Sequence, residues 1–65
     1  SRDMEIKGGV TIGAYAWLGA RVTVLDGVTI GARAIIGAHS LVKDNIPAGA
    51  IAVGIPARVV GQVKN

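Results

Sequence analysis

The stretch Val28-Thr29-Ile30-Gly31-Ala32-Arg33 followed by Ala34-Ile35-Ile36-Gly37-Ala38-His39 reads as one pattern written twice. A small apolar residue, a variable one, an aliphatic and a glycine are followed by two turn-like positions. Carrying the frame outward in steps of six places Ile6, Ile12, Leu18, Val24, Ile30, Ile36, Val42 and Ala48 at the aliphatic position. The next position holds Lys7, Gly13, Gly19, Leu25, Gly31, Gly37, Lys43 and Gly49, so five of the ten glycines share one register. Val10, Ala16, Val22, Val28, Ala34, Ser40, Ile46 and Ala52 fill the small position. Self-similarity at a fixed period is the signature of a repeat architecture.

The physics of one unit follows from strand alternation. The small residue, its successor and the aliphatic point in, out and in along a short strand. The remaining positions form a turn, and glycine at its first place tolerates a backbone conformation that a Cβ would penalise. Three strands and three corners close a triangular coil of eighteen residues, giving coils over 6–23, 24–41 and 42–59. Residues 1–5 read as a lead-in and 60–65 as a C-terminal tail. Parallel ladders stack such coils about 4.8 Å apart, so the expected class is all-β. The outward files at this spacing are Trp17, Ile35, Val53; Thr23, Leu41, Val59; and Thr11, Thr29, Pro47. Two of the three are apolar, which points to contact surfaces; the alternative is a mildly apolar wall of the common kind. Nothing in the spacing fixes the hand of the coil, although most crossover connections are right-handed.

Composition bounds what such a chain does. Sixty-five residues bury little of their surface, and domains of this size usually need a disulfide, a metal or a partner subunit. Cysteine is absent, which excludes disulfides, thiolate zinc sites and cysteine nucleophiles. One histidine and four carboxylates are too few for a closed metal site, so oligomerisation is the expected remedy. With 51% hydrophobic and 17% charged residues the chain is not of the disordered class. Those hydrophobes are small and β-branched, with no Phe and single Trp, Tyr and Met residues, which suits strands. The net charge of +3 comes from scattered cations with almost no aromatics to stack bases, so no nucleic-acid partner is expected. No apolar run has the length of a membrane span, and Ser1-Arg2-Asp3-Met4-Glu5 has no signal-peptide character. The expected location is the cytoplasm, without a membrane partner.

Four segments carry a family resemblance. Trp17-Leu18-Gly19-Ala20, Gly27-Val28-Thr29-Ile30-Gly31, Ile36-Gly37-Ala38-His39-Ser40 and Gly54-Ile55-Pro56-Ala57-Arg58-Val59-Val60 occur in that order without gaps. Over Gly9–Val60 the chain resembles the C-terminal half of the hexapeptide-repeat acyltransferases, of the galactoside, maltose and polysaccharide O-acetyltransferase kind. The resemblance implies a left-handed parallel β-helix, a homotrimer packed through flat prism faces, and acetyl-CoA as cosubstrate without a metal. It implies a cofactor groove along stacked corners at Ala20 and Ala38, where small side chains let backbone groups approach the ligand. Lys43 and Arg58 match positions that meet the cofactor's phosphates, Arg58 by a bidentate contact, and Trp17 matches a tryptophan at the acceptor end. Each has a plainer reading: turn filler for the alanines, solvated cations for Lys43 and Arg58, packing for Trp17. Asp44 and Gly61 depart from the family, standing where relatives carry Lys and a second Arg.

The parent activity implied is transfer of an acetyl group from acetyl-CoA to a hydroxyl on a sugar or similar small acceptor. Such transferases use a histidine as base, upstream of the segment matching Trp17. The single histidine of this sequence is His39, which reads as an exposed turn residue, so no catalytic residue is assigned. Asp26 and Asp44, eighteen apart, read as a corner ladder that Lys43 partly neutralises. The chain is therefore expected to be inactive alone. The reading from another class is a non-catalytic β-solenoid, a structural or assembly module with exposed coil ends.

Overall fold

Each repeat forms a two-residue strand and a corner. The computed structural model describes residues 5–6 and 9–64, with the side chains from Gly9 onward. Lys7 of the glycine register, and the lead-in apart from Glu5, lie outside the described residues. The strands are β1 (Glu5–Ile6), β2 (Thr11–Ile12), β3 (Trp17–Leu18), β4 (Thr23–Val24), β5 (Thr29–Ile30), β6 (Ile35–Ile36) and β7 (Leu41–Val42). Two longer ones follow, β8 (Ala50–Gly54) and β9 (Ala57–Gln62). No helix occurs among the described residues, and the class is all-β.

The chain visits three sheets in rotation. β1, β4 and β7 form one, β2 and β5 a second, and β3, β6, β8 and β9 the third. All pairs are parallel except the terminal β8–β9 hairpin. In the first two turns of the rotation partners stand eighteen apart: Ile12 beside Ile30, Leu18 beside Ile36, Val24 beside Val42. The inward aliphatics Val24, Ile30, Ile36 and Val42 are fully buried. Burying one such side chain stabilises by about 1.5–3 kcal/mol, against about 0.5–1.5 kcal/mol for a ladder hydrogen bond. The aliphatic file, more than the ladder, therefore dictates which positions must repeat.

The third turn corrects the expected register. Ile30 pairs with Ile46 rather than Ala48, and Ile35 and Ile36 pair with Ile51 and Ala52, a spacing of sixteen. The corner after Val42 is two residues shorter than its predecessors. Asn45 makes the shortening workable. In the turn before, the Thr11 amide donates to the carbonyl of Val28; here the Thr29 amide donates instead to Asn45 Oδ1 at 2.8 Å. The outward file of the third sheet is consequently Trp17, Ile35, Ile51, and Val53 is not in it. Val59 does not continue the Thr23–Leu41 file either, because β9 folds back antiparallel and sets Val59 opposite Ala52. Pro47 lies at a corner over Gly31, not beside Thr29.

The glycines also act differently from expectation. Positive φ falls two places after the glycine register, at Tyr15 (62°), Arg21 (59°), Arg33 (64°) and His39 (65°), with Gly27 and Gly49 at the equivalent places of other corners. The corners at Tyr15, Gly27, Arg33, His39 and Gly49 close by a hydrogen bond such as Ala34 N–H to Gly31 C=O, a pattern with positive φ at its third residue as in type II turns. Glycine at the first place serves close approach instead. A Cβ on Gly13 would meet the Ala32 amide nitrogen at 2.5 Å, and one on Gly19 the Ala38 amide nitrogen at 2.7 Å.

Candidate functional site

Two corners of one stack bring Ala20 and Ala38 together. Gly19-Ala20-Arg21-Val22 joins β3 to β4, and Gly37-Ala38-His39-Ser40 joins β6 to β7 one turn later. The His39 amide donates to the Ala20 carbonyl at 2.9 Å, fixing the two corners in register. Both alanines are exposed and present only methyl groups, so nothing bulky projects from this ridge between them. His39 is exposed on the same corner.

Arg58 joins this end of the molecule through Ser40. The Ser40 hydroxyl, itself buried, accepts the Gly54 amide at 3.0 Å and anchors the turn between β8 and β9 to the corner. Arg58 follows that turn on β9, exposed and opposite Val53. Lys43 does not lie on this corner. It occupies the shortened one after β7, where its Nζ sits 3.1 Å from Asp44 Oδ2 in an exposed pair, of the kind that contributes little to stability. Asp26 and Asp44 lie on the corners that follow the paired strands β4 and β7; Asp26 accepts the Gly9 amide and Asp44 pairs with Lys43. Among the described residues no three His, Cys, Asp or Glu side chains gather as a metal site.

Trp17 lies in a groove at the start of β3. This open groove, about 940 Å³, is lined by Tyr15, Trp17, Arg33, Ile35, Val63 and Lys64. Tyr15 and Arg33 occupy equivalent positive-φ places on stacked corners, and the Arg33 guanidinium stands 6.0 Å from the Tyr15 ring centroid, within reach of a cation–π contact. Trp17 and Ile35 are strand partners. The segment after β9 completes the wall: the Val63 amide donates to the Gly49 carbonyl at 2.7 Å, tying Val63 and Lys64 to the same stack of corners. Sequence reasoning singled out Trp17 alone of these as a site residue, and placed Ile35 in its outward file. The spacing of eighteen between Tyr15 and Arg33 was the available signal; the return of Val63 and Lys64 had none, because it depends on the hairpin.

Comparison with known proteins follows the same lines. No curated protein matches the chain. Among solved structures it is similar to a variant of GDP-perosamine N-acetyltransferase from Caulobacter crescentus, in complex with CoA and GDP-perosamine, at 41% identity and a TM-score of 0.88. That likeness covers 91% of this chain and 28% of the other. A maltose O-acetyltransferase from Clostridium difficile 630 is 40% identical with a TM-score of 0.84, over 89% of this chain and 31% of that one. Galactoside acetyltransferase in complex with coenzyme A is 40% identical with a TM-score of 0.84, over 88% and 28%. The chain thus spans under a third of the length of these relatives. Likeness to the N-acetyltransferase and to the O-acetyltransferase differs by only one per cent in identity and 0.04 in TM-score, so it does not choose the acceptor atom. Residues 8–44 match the family model described as bacterial transferase hexapeptide (six repeats), and the chain belongs to that hexapeptide-repeat transferase family.

Proposed function

We propose that this chain is the C-terminal portion of an acetyl-CoA-dependent O-acetyltransferase acting on a sugar or similar small hydroxyl acceptor. Its backbone winds as a left-handed parallel β-helix of about three triangular coils. The observation that carries the reading is the Ala20–Ala38 stack, locked by the His39 N–H to Ala20 C=O bond, on a family background whose members are held with CoA. The residues present fit that ligand: two stacked alanines with only methyl side chains, flanked by the exposed Arg21 and His39, with a further cation, Arg58, on the hairpin anchored to the same corner. When bound, acetyl-CoA supplies the acyl thioester. Ala20 and Ala38 leave room for its extended arm, Arg58 holds a phosphate, and Lys43 supplies a second positive charge from the neighbouring corner. Trp17 forms the wall toward the acceptor.

No base is assigned among these residues. The one histidine, His39, is a corner residue, and the chain is read as inactive alone. The exposed Trp17 and the half-buried Ile35 and Ile51 form an apolar file on one sheet, which supports a homotrimer packed through such faces. The setting proposed is cytoplasmic.

Thermal unfolding with and without CoA tests the reading. A ligand at about 100 times its Kd stabilises the folded state by about 2.7 kcal/mol, which moves the midpoint of a chain this small by many degrees. CoA should raise Tm, and Ala38→Leu should abolish the rise while leaving the unliganded Tm in place. A melt that is flat in CoA leaves the second reading, a non-catalytic β-solenoid module. That alternative has in its favour the exposed Ile55 and Val60 of the terminal hairpin.

A further inference from the structure

We infer that Arg21 and His39 form a proton-linked phosphate site on the corner stack of Ala20 and Ala38, so that this chain holds a phosphate-bearing ligand more tightly as the pH falls. That the ligand is CoA rests on the transferase reading above; the site itself does not.

The backbone sets the two side chains on one ridge. Arg21 and His39 are eighteen apart and occupy equivalent places of stacked corners, with φ of 59° and 65°. The strands on either side are paired at the same spacing, β3 with β6 and β4 with β7, and the His39 amide donates to the Ala20 carbonyl at 2.9 Å. The two residues therefore stand one rung apart, about 4.8 Å. The conformation does not ask for these side chains. Gly27 and Gly49 adopt it at other corners, where the missing Cβ removes the steric cost. A bulky residue held in left-handed backbone is a reason to look for a role, and here two nitrogen-bearing ones are stacked.

Charge supplies the role. Arg21 and His39 are exposed, and among the described residues neither side chain has a hydrogen bond or ion pair. Arg58 adds a third basic group, on the hairpin that the Gly54–Ser40 bond anchors to this corner. The described aspartates are engaged elsewhere: Asp44 pairs with Lys43 on the corner after β7, and Asp26 accepts the Gly9 amide. A patch of one sign concentrates ligands of the opposite sign, and a phosphate presents three strong acceptor oxygens. Arginine meets them with a planar fork of five N–H donors.

Histidine makes the site proton-linked. Its charge changes between about pH 5 and 8, and the imidazolium has two N–H donors where the neutral ring has one. A phosphate held between Arg21 and His39 favours the charged ring. Binding therefore takes up a proton, and acidification tightens binding. Protonation of the phosphate acts the other way, since a monoester gains its proton near about pH 6 and loses charge. A rise in affinity on acidification thus belongs to His39.

His39 is the sole histidine, so its imidazole C–H signals follow the site by proton NMR without ambiguity. Saturating inorganic pyrophosphate should move the midpoint of their titration upward by about half a unit to one unit, equivalent to about three- to tenfold tighter binding below the titration than above it. CoA should do the same. Arg21→Asn should weaken pyrophosphate about tenfold and remove most of the midpoint shift. His39→Asn should bind both ligands no more tightly at low pH than at high. Asparagine tolerates left-handed backbone, and a melt of each variant checks its folding. A midpoint unmoved or lowered by pyrophosphate, an Arg21→Asn chain that binds pyrophosphate as the native one does, or acid-tightened binding that survives His39→Asn would overturn the proposal. A midpoint raised by pyrophosphate but not by CoA keeps the site and removes CoA as its ligand; a melt flat in CoA then removes the transferase reading as well. CoA stabilisation with a midpoint that neither ligand moves leaves that reading and overturns the site.

Discussion

Gly13 lies so close under Ala32 that a Cβ on it would meet the Ala32 amide nitrogen at 2.5 Å and the Ala32 Cα at 2.8 Å. The obstacle is backbone, which cannot step aside without opening the stack. At Gly37 the equivalent obstacle is a side chain, Val53 Cγ1 at 2.6 Å. The two glycines share a sequence register and differ in what enforces them.

That difference predicts a rescue pattern. Gly13→Ala and Gly37→Ala should each destabilise by about 1–3 kcal/mol, the usual cost of overpacking. Val53→Ala should recover much of the loss in the Gly37→Ala chain, while Ala32→Gly should recover little in the Gly13→Ala chain. Denaturant midpoints of the four single and two double variants measure this. Equal rescue in both pairs would mean that backbone contact does not enforce the glycine.

Ser40 links the repeat to the terminal hairpin. It is 1% exposed and occupies a position that elsewhere holds Ala, Val or Ile, and its hydroxyl accepts the Gly54 amide. Ser40→Ala should cost about 1 kcal/mol and speed hydrogen exchange at Gly54 without changing exchange at Gly31. An unchanged midpoint with Gly54 still protected would show that this bond does not hold the hairpin.

Much of this was legible in the sequence, and the exceptions have physical causes. The period of six placed Ile12, Leu18, Val24, Ile30, Ile36 and Val42 inward because a buried file tolerates only apolar residues. The frame slipped after Val42. Ala48 satisfied the pattern as an apolar residue, yet Ile46, a larger side chain, fills the core and is 5% exposed. The slip shows at Gly49, which the frame makes the next member of the glycine register but which adopts instead the positive φ of Tyr15 and Arg33. Likewise Ala20 and Ala38 were readable as one stack, being eighteen apart before the slip, whereas the placing of Lys43 on a separate corner needed the observed sheets. The antiparallel return of β9 was not readable, because Val59 and Val60 continue an apolar pattern compatible with another strand of the rotation.

Register is open to a covalent test. The native chain has no cysteine, so introduced pairs report cleanly. Ile35→Cys with Ile51→Cys joins strand partners on one face and should oxidise readily, since adjacent parallel strands lie about 4.8 Å apart and a disulfide spans about 4.4–6.8 Å between Cα atoms. Ile35→Cys with Val53→Cys should cross-link far more slowly. The opposite order of rates would restore a spacing of eighteen throughout.

The most direct measurement is a map of backbone amide shifts as CoA is added to the ¹⁵N-labelled chain. Binding along the Ala20–Ala38 ridge predicts changes concentrated at Gly19, Ala20, Arg21, Ala38, His39 and Arg58, with Thr11 and Thr29 on the second sheet unmoved. Shifts confined to Lys43, Asp44 and Asn45, or none at saturating CoA, would contradict the assignment of this corner to the cofactor.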